Sequence, residues 1–252
     1  MHSRPHRLVV RNGLTLVESL ISIGIVTVLA SILLIAVVGA RTHTQDIKAL
    51  SDLKQHVAVF DMYSADHADA FPQLVPALPI RHEISNASGL RAYDLAYFET
   101  IRFWNIGLSD QYYDGDAQGQ SFYSPTRVAN GPGQGGTSYM HSQALLAGSD
   151  FWNTSTRLSG HSQWRAVRQA EVVSPSKKGI FLDYEGFMFP SVSSTSLMGV
   201  AIGFADGSAR FIKVGELLPP YPRASGGPPG DDATLPIPVL HTVDGVRGRD
   251  VQ

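Results

Sequence analysis

The chain of 252 residues contains no cysteine. Disulfides, thiolate metal sites and a cysteine nucleophile are therefore excluded. Charge is sparse as well: 17% of residues are charged and the formal net charge is -2. That balance exerts no global pull on nucleic acid or anionic lipid, and no nucleic-acid partner is expected. No G-x-S-x-G, H-E-x-x-H or G-x-x-x-x-G-K-[ST] motif occurs, so the common hydrolase, zincin and nucleotide-loop signatures are missing. The expectation is a protein that is not an enzyme and needs no cofactor. Acidic residues are also missing from the start of the chain, where Arg4, Arg7 and Arg11 stand.

Beyond those arginines lies a long apolar run. Leu14 to Ala40 is apolar apart from Glu18 and scattered Ser, Thr and Gly. A membrane-spanning helix needs about 20 such residues. A signal-peptide core is shorter, about 7–15 residues. The basic flank predicts Met1 in the cytoplasm and the remainder outside, although Arg41 and Lys48 come after the span. Glu18 requires a reason, because a carboxylate inside a membrane helix costs about 2.5–3.5 kcal/mol. One reason is a position at the interface, with the carboxylate reaching water. A sharper one uses Gly13: cleavage after it leaves Leu14 with a positive amine. That amine and Glu18 then lie four residues apart on one helix face.

The stretch "GLTLVESL" closely resembles the processing site of type IV prepilins and type II secretion pseudopilins. The family pattern is a short basic leader, Gly, a hydrophobic first mature residue and Glu at mature position five. Here these are Met1–Gly13, Leu14 and Glu18. The resemblance implies a prepilin peptidase that cuts after Gly13 and methylates the Leu14 amine, with Glu18 serving assembly. It also implies a single-pass protein of the bacterial inner membrane, with a cytoplasmic N-terminus and a periplasmic head. The implied partners are the peptidase, other pilin or pseudopilin subunits and an inner-membrane assembly platform, and the implied product is a cell-envelope filament. The competing class is a membrane-anchored periplasmic enzyme or binding module that uses the helix only as an anchor.

Helical order is predicted to persist beyond the span. Ile47, Leu50, Leu53, Val57 and Phe60 recur at steps of three and four, one apolar stripe. Asp46, Lys48, Asp52, Lys54 and Gln55 are assigned to the other face. A helix from Leu14 to about His67 spans about 80 Å, and Pro72 cannot continue it. The expected organisation is a leader at 1–13 and a helical region at 14–71, transmembrane over 14–40 and amphipathic over 41–67. Next come a head at 72–218 and a Pro/Gly-rich disordered tail at 219–252. The fold class is α+β and pilin-like, a long N-terminal helix packed on a small antiparallel sheet.

In the head, "GVAIGFADGSARFI" alternates on both sides of Asp206-Gly207, the signal of a two-residue type I′ hairpin. That loop pairs Phe204 with Ala209 and Ile202 with Phe211, facing both phenylalanines to the helix stripe near Val57 and Phe60. A strand is expected over Lys178–Tyr184. With "VVSPSKK" and the hairpin it resembles a planctomycete-like pseudopilin subgroup, of which "FYSPTR" and "TSY" are weaker echoes. Ser196 stands where that subgroup carries a histidine.

Several other stretches hold residue types used in chemistry. Asp66, His67 and Asp69 are few for a metal site and read as a polar helix exit. Asp114, Asp116 and Gln118 resemble the first half of an oxygen-ligand calcium loop, but Pro125 occupies the position of the expected bidentate acid. Asp183 and Glu185 share a face if the strand runs through both, as paired carboxylates do. His141 and His161 have serine neighbours but no triad spacing. "NGPGQGG" lacks the strand and helix of a phosphate loop and reads as a surface loop.

Overall fold

The apolar run and the amphipathic pattern after it form one continuous element. In the structure, a computed structural model, this is α1 (Leu16–Asp66, 51 residues). Residues 15–78, 81–125, 136–188, 199–222 and 236–252 are described. The chain divides into two units, Met1–Thr44 and Gln45–Gln252. In the first, large apolar side chains such as Leu20, Ile25, Leu29 and Leu33 are exposed. Among the described residues α1 is the one helix long and apolar enough to cross a membrane. Its hydroxyls bond to their own helix: Thr27 Oγ1 to Gly24 O and Ser31 Oγ to Thr27 O, each at 2.8 Å. Their polarity is thereby satisfied without water.

The second unit is α+β. After α1 come β1 (His82–Ser85), β2 (Arg91–Leu95), α2 (Trp104–Tyr112), β3 (Tyr139–His141), β4 (Gly179–Asp183), α3 (Tyr184–Met188), β5 (Val200–Phe204) and β6 (Ala209–Ile212). Strands β1 and β2 pair alone, and β3-β4-β5-β6 form an antiparallel sheet in that order. α1 ends one residue before the expected limit. Ala68 and Asp69 take positive φ (55° and 67°) and turn the chain, and Phe71 N–H donates to Val167 O at 2.8 Å.

The buried face of α1 is rotated from the expected stripe. Leu53, Val57 and Phe60 are buried, but Ile47 is 56% exposed, while Asp46, Asp52 and His56 are buried. The actual face runs through 46, 49, 52–53, 56–57, 59–60 and 64. Polar residues occupy core positions because partners meet them; Asp52, for example, receives Lys48 Nζ at 3.0 Å.

The hairpin register also differs from expectation. Gly203 pairs with Ala209, Ile202 with Arg210 and Ala201 with Phe211. Phe204 N–H donates to Ser208 O at 2.8 Å and Gly207 N–H to Phe204 O at 3.1 Å. The loop is therefore Ala205–Asp206–Gly207. A type I′ turn needs two residues at positive φ, and only Gly207 (φ 83°) has it here. Asp206 Oδ1 instead accepts from Ser208 N–H at 3.0 Å and Ser208 Oγ–H at 2.6 Å, which fixes a three-residue loop. A one-residue slip exchanges the faces of a strand. Phe204 thus leaves the helix side, and the Arg210 guanidinium lies 4.2 Å from its ring centre.

The sheet is covered on both faces. On one, Leu53, Val57 and Phe60 of α1 cluster with Phe181, Ala201 and the half-buried Phe211. Gly203 lets the helix approach: a Cβ there falls 2.9 Å from Val57 Cγ2. A bulge between Gly179 and Phe181 sends Ile180 and Phe181 to this same side. On the other face, Ile202, Phe204 and Ile212 cluster with Ile237, Val239, Leu240 and Val251. The tail expected to be disordered thus supplies core: from residue 236 onward it is ordered against the sheet. Its apolar residues Ile237, Val239, Leu240, Val246 and Val251 are buried, and His241, Thr242 and Asp250 are buried with them.

Candidate functional site

Of the three residues expected to carry processing and assembly, Gly13 and Leu14 lie outside the described residues. Glu18 is described, and it meets Thr15. Thr15 N–H and Oγ1–H each donate to Glu18 Oε2 at 2.8 Å, and Glu18 N–H donates back to Thr15 Oγ1 at 3.2 Å. This is a capping box, which satisfies backbone donors that a helix start otherwise leaves open. Its sequence signal is Thr15 three residues before Glu18 at the head of an apolar run, a spacing that a reading centred on Gly13 and Glu18 passes over.

The other singled-out residues have separate local partners. Asp66 Oδ2 accepts from Tyr112 Oη–H at 2.9 Å, Asp69 Oδ2 accepts from Ala170 N–H at 3.0 Å, and the His67 ring stacks on Tyr63 with centres 3.8 Å apart. Asp114 takes positive φ (51°) in a tight turn. Two residues on, Asp116 Oδ1 accepts from Gln118 N–H at 2.8 Å. Among the described residues no three His, Asp or Glu side chains gather at metal-binding distance. Asp183 and Glu185 do not share a strand face, because α3 begins at Tyr184. Asp183 is buried, accepting from Ser124 Oγ–H at 2.9 Å and Gly186 N–H at 3.0 Å; burial raises its carboxyl to about 6. His141 is buried against Phe60, whereas His161 packs edge-on against Trp164. "NGPGQGG" lies outside the described residues except for Gly136.

Two buried polar sites belong to no sequence motif. The first is His56, fully buried in the face of α1. Its Nε2 lies 2.8 Å from the Ser121 carbonyl, which can only accept, so Nε2 carries the hydrogen. Nδ1 then accepts from Tyr113 Oη–H at 2.8 Å. The ring stacks on Phe122 at 5.3 Å, and burial lowers its pKa to about 4. A histidine at a helix position three or four from Asp52, Leu53 and Phe60 was the available signal.

The second joins β4 to the C-terminal segment. Lys178, 0% exposed, donates from Nζ to Asp250 Oδ2 at 2.8 Å and to Thr242 Oγ1. Gly179 N–H adds a bond to Asp250 Oδ2 at 2.9 Å, and Thr242 Oγ1–H donates to Oδ1 at 2.6 Å. Burial pushes the Lys178 ammonium down in pKa, and neighbouring Asp250 opposes that shift. The pair fixes the segment to the sheet. Nothing local in the sequence links Lys178 to a carboxylate 72 residues away.

No family model, curated protein or solved structure matches this chain.

Proposed function

We propose that the chain is a structural subunit of a type II secretion pseudopilus or a type IV pilus-like filament. In this reading it inserts in the bacterial inner membrane with its head in the periplasm. A prepilin peptidase cuts after Gly13 and methylates the Leu14 amine. An inner-membrane platform then assembles the subunit with others through α1. The observation that carries the reading is the Gly13–Leu14–Glu18 pattern set directly ahead of a continuous helix whose first half exposes its apolar residues. The α+β arrangement of the second unit is compatible with a pilin-like head.

Glu18 is the residue on which the mechanism turns. Thr15 occupies Oε2 but carries no charge. A Leu14 amine, from the same chain in the membrane or from an adjoining subunit in a filament, supplies the counter-charge. Such a pairing fixes the axial stagger of two otherwise featureless apolar helices. A wrong register leaves a buried charge unpaired, at about 3–5 kcal/mol.

The capping box favours a second reading, in which Glu18 only starts the helix. Glu18→Gln separates the two, because glutamine also serves a capping box but cannot pair with an amine as an anion. The filament reading expects Glu18→Gln and Glu18→Val to insert and to be cut after Gly13, yet to incorporate poorly into sheared or cross-linked filaments. Wild-type assembly of Glu18→Gln would leave only the capping role, and wild-type assembly of Glu18→Val would remove both. Intact mass of the membrane-extracted protein tests processing itself. A mature chain that retains Met1–Gly13 returns the protein to the anchored-module class.

A further inference from the structure

The contact that fastens the C-terminal segment sets a nucleophile against an electrophile. Lys178 and Asp250 are 0% and 2% exposed, with Nζ 2.8 Å from Oδ2. Both backbones are pinned. Lys178 N–H donates to Ser174 O and Lys178 O accepts from Ala205 N–H, each at 2.9 Å. Asp250 N–H donates to Lys177 O at 2.9 Å, and Asp250 O accepts from Leu218 N–H at 2.8 Å. Val239 and Ile202, both buried, close in on Gly179 beside the pair: a Cβ there falls 2.7 Å from Val239 Cγ1, 2.9 Å from Ile202 Cγ2 and 3.5 Å from Asp250 Oδ2.

Each atom that a condensation uses has a partner in place. Gly179 N–H donates to Asp250 Oδ2 at 2.9 Å, where it stabilises negative charge that develops on that oxygen. Thr242 Oγ1 accepts from Lys178 Nζ and donates to Asp250 Oδ1 at 2.6 Å. Its other acceptor, Val239 O, is farther, at 3.2 Å. The hydroxyl therefore bridges the amine and the carboxylate oxygen that Gly179 leaves free. Burial pushes the Lys178 pKa down, against the pull of Asp250, and the amine rather than the ammonium is the nucleophile. Two charges taken out of water carry a desolvation penalty, which a neutral product removes. Groups held in such contact react with effective molarities of about 10⁵–10⁸ M.

We propose that Lys178 and Asp250 condense after folding into an intramolecular isopeptide bond, a covalent staple between residues 72 apart in the chain. One proton passes from Nζ through Thr242 Oγ1 to Oδ1, leaving a neutral amine and a neutral carboxyl group. The Nζ lone pair then attacks Cγ, and the charge that develops on Oδ2 faces Gly179 N–H. A second proton follows the same hydroxyl to Oδ1, the Cγ–Oδ1 bond breaks and one water leaves. An amide between Nζ and Cγ remains. Nothing is oxidised or reduced, and no co-reactant is needed. The ion pair is the state before condensation, so a freshly folded chain carries the salt bridge and an aged one the staple. This property is independent of filament assembly.

The test follows the full chain by mass spectrometry. Newly made chain is marked by a pulse of heavy-isotope label during expression, extracted in detergent at intervals, denatured and digested with trypsin. Cleavage after Lys177 and Arg249 gives fragments that begin at Lys178 and Asp250. The expected result is a branched peptide that joins these two fragments and is lighter by one water than both together. Loss of one water from the intact chain does not suffice, because Asp206-Gly207 can cyclise with the same loss. Asp250→Ala should give no branched peptide. Thr242→Val keeps both reacting groups and should slow its appearance about 10²–10⁴-fold, the usual contribution of a positioned proton carrier. A wild-type chain without the branched peptide at every interval holds an ion pair only and overturns the proposal. Formation in Thr242→Val at the wild-type rate overturns the relay. The wild-type measurement needs no variant and stands even if Thr242→Val fails to fold.

Discussion

His56 has no solvent on any side, and both its ring nitrogens are already committed. The Ser121 carbonyl fixes the hydrogen on Nε2, and the Tyr113 hydroxyl fills Nδ1. Protonation must therefore reverse the Tyr113 bond and place a charge among Trp104, Phe122 and Phe181. His141 is similarly buried, and its pKa is likewise lowered to about 4. A folded value below the unfolded one means that the unfolded chain binds more protons between the two. The stability these rings contribute is complete above the ordinary histidine value of about 6.5. It is lost as pH falls toward the folded value of about 4. Asp183 acts in the opposite sense: raised to about 6, its buried carboxylate penalises the fold above that value, and the penalty is relieved as pH falls through it. Bulk unfolding data mix these terms, so the test is site-specific. The ring nitrogen shifts of His56 should keep the neutral, Nε2-protonated pattern from pH 8 to about pH 5.5. A titration midpoint above 6 would contradict so complete a burial.

The fit between α1 and the sheet depends on Gly203. A side chain there meets Val57 Cγ2 at 2.9 Å and Phe181 Cβ at 3.4 Å. Gly203→Val should lower the stability of the head by about 1–3 kcal/mol through overpacking. Val57→Ala in the same chain should restore part of it, as a double-mutant cycle in urea would show. Additive losses would mean that helix and strand do not touch at this point. Much of this element scale was legible in the sequence: the helix, its end near Asp66, β4 and the existence of the β5–β6 hairpin. Its phases were not. Asp206-Gly207 signals a turn but does not say whether the side chain of Asp206 will take Ser208 N–H and enlarge the loop. Ile47 is apolar and still lies outside, because His56 finds partners, Tyr113 and Ser121, that only the folded head supplies, and Asp52 is met by Lys48 of its own helix. Hydrophobic periodicity records side-chain character, whereas the phase of a helix depends on which polar groups can be satisfied beneath it.

The second unit closes its core with residues remote in sequence. Lys178 and Asp250, exposed by 0% and 2%, are the fastening. Removing one partner leaves the other charged and buried. Lys178→Ala or Asp250→Ala should therefore cost about 3–5 kcal/mol. Lys178→Met combined with Asp250→Leu should cost less than either alone, because two apolar side chains strand no charge. Chemical denaturation of the three variants decides this, and a double variant as weak as the sum of the singles would refute the pairing. Composition concealed this arrangement. The glycines, prolines and paired aspartates that begin at Pro219 look incapable of forming a core, and the few residues that do so, Tyr221, Ile237, Val239, Leu240, Val246 and Val251, are too scattered to make a periodic signal.

The late position of that segment has a consequence for biogenesis. While the chain is being made, β4, β5 and β6 emerge before the residues that shield them. During that interval Ile202 and Phe204 face water and Lys178 is a cation without its carboxylate just ahead of an apolar strand. A nascent head in this state is sticky, and a ribosome stalled after β6 would display it indefinitely. The second unit can therefore become protease-resistant only after residue 250 has left the ribosome, which makes its folding a post-translational event.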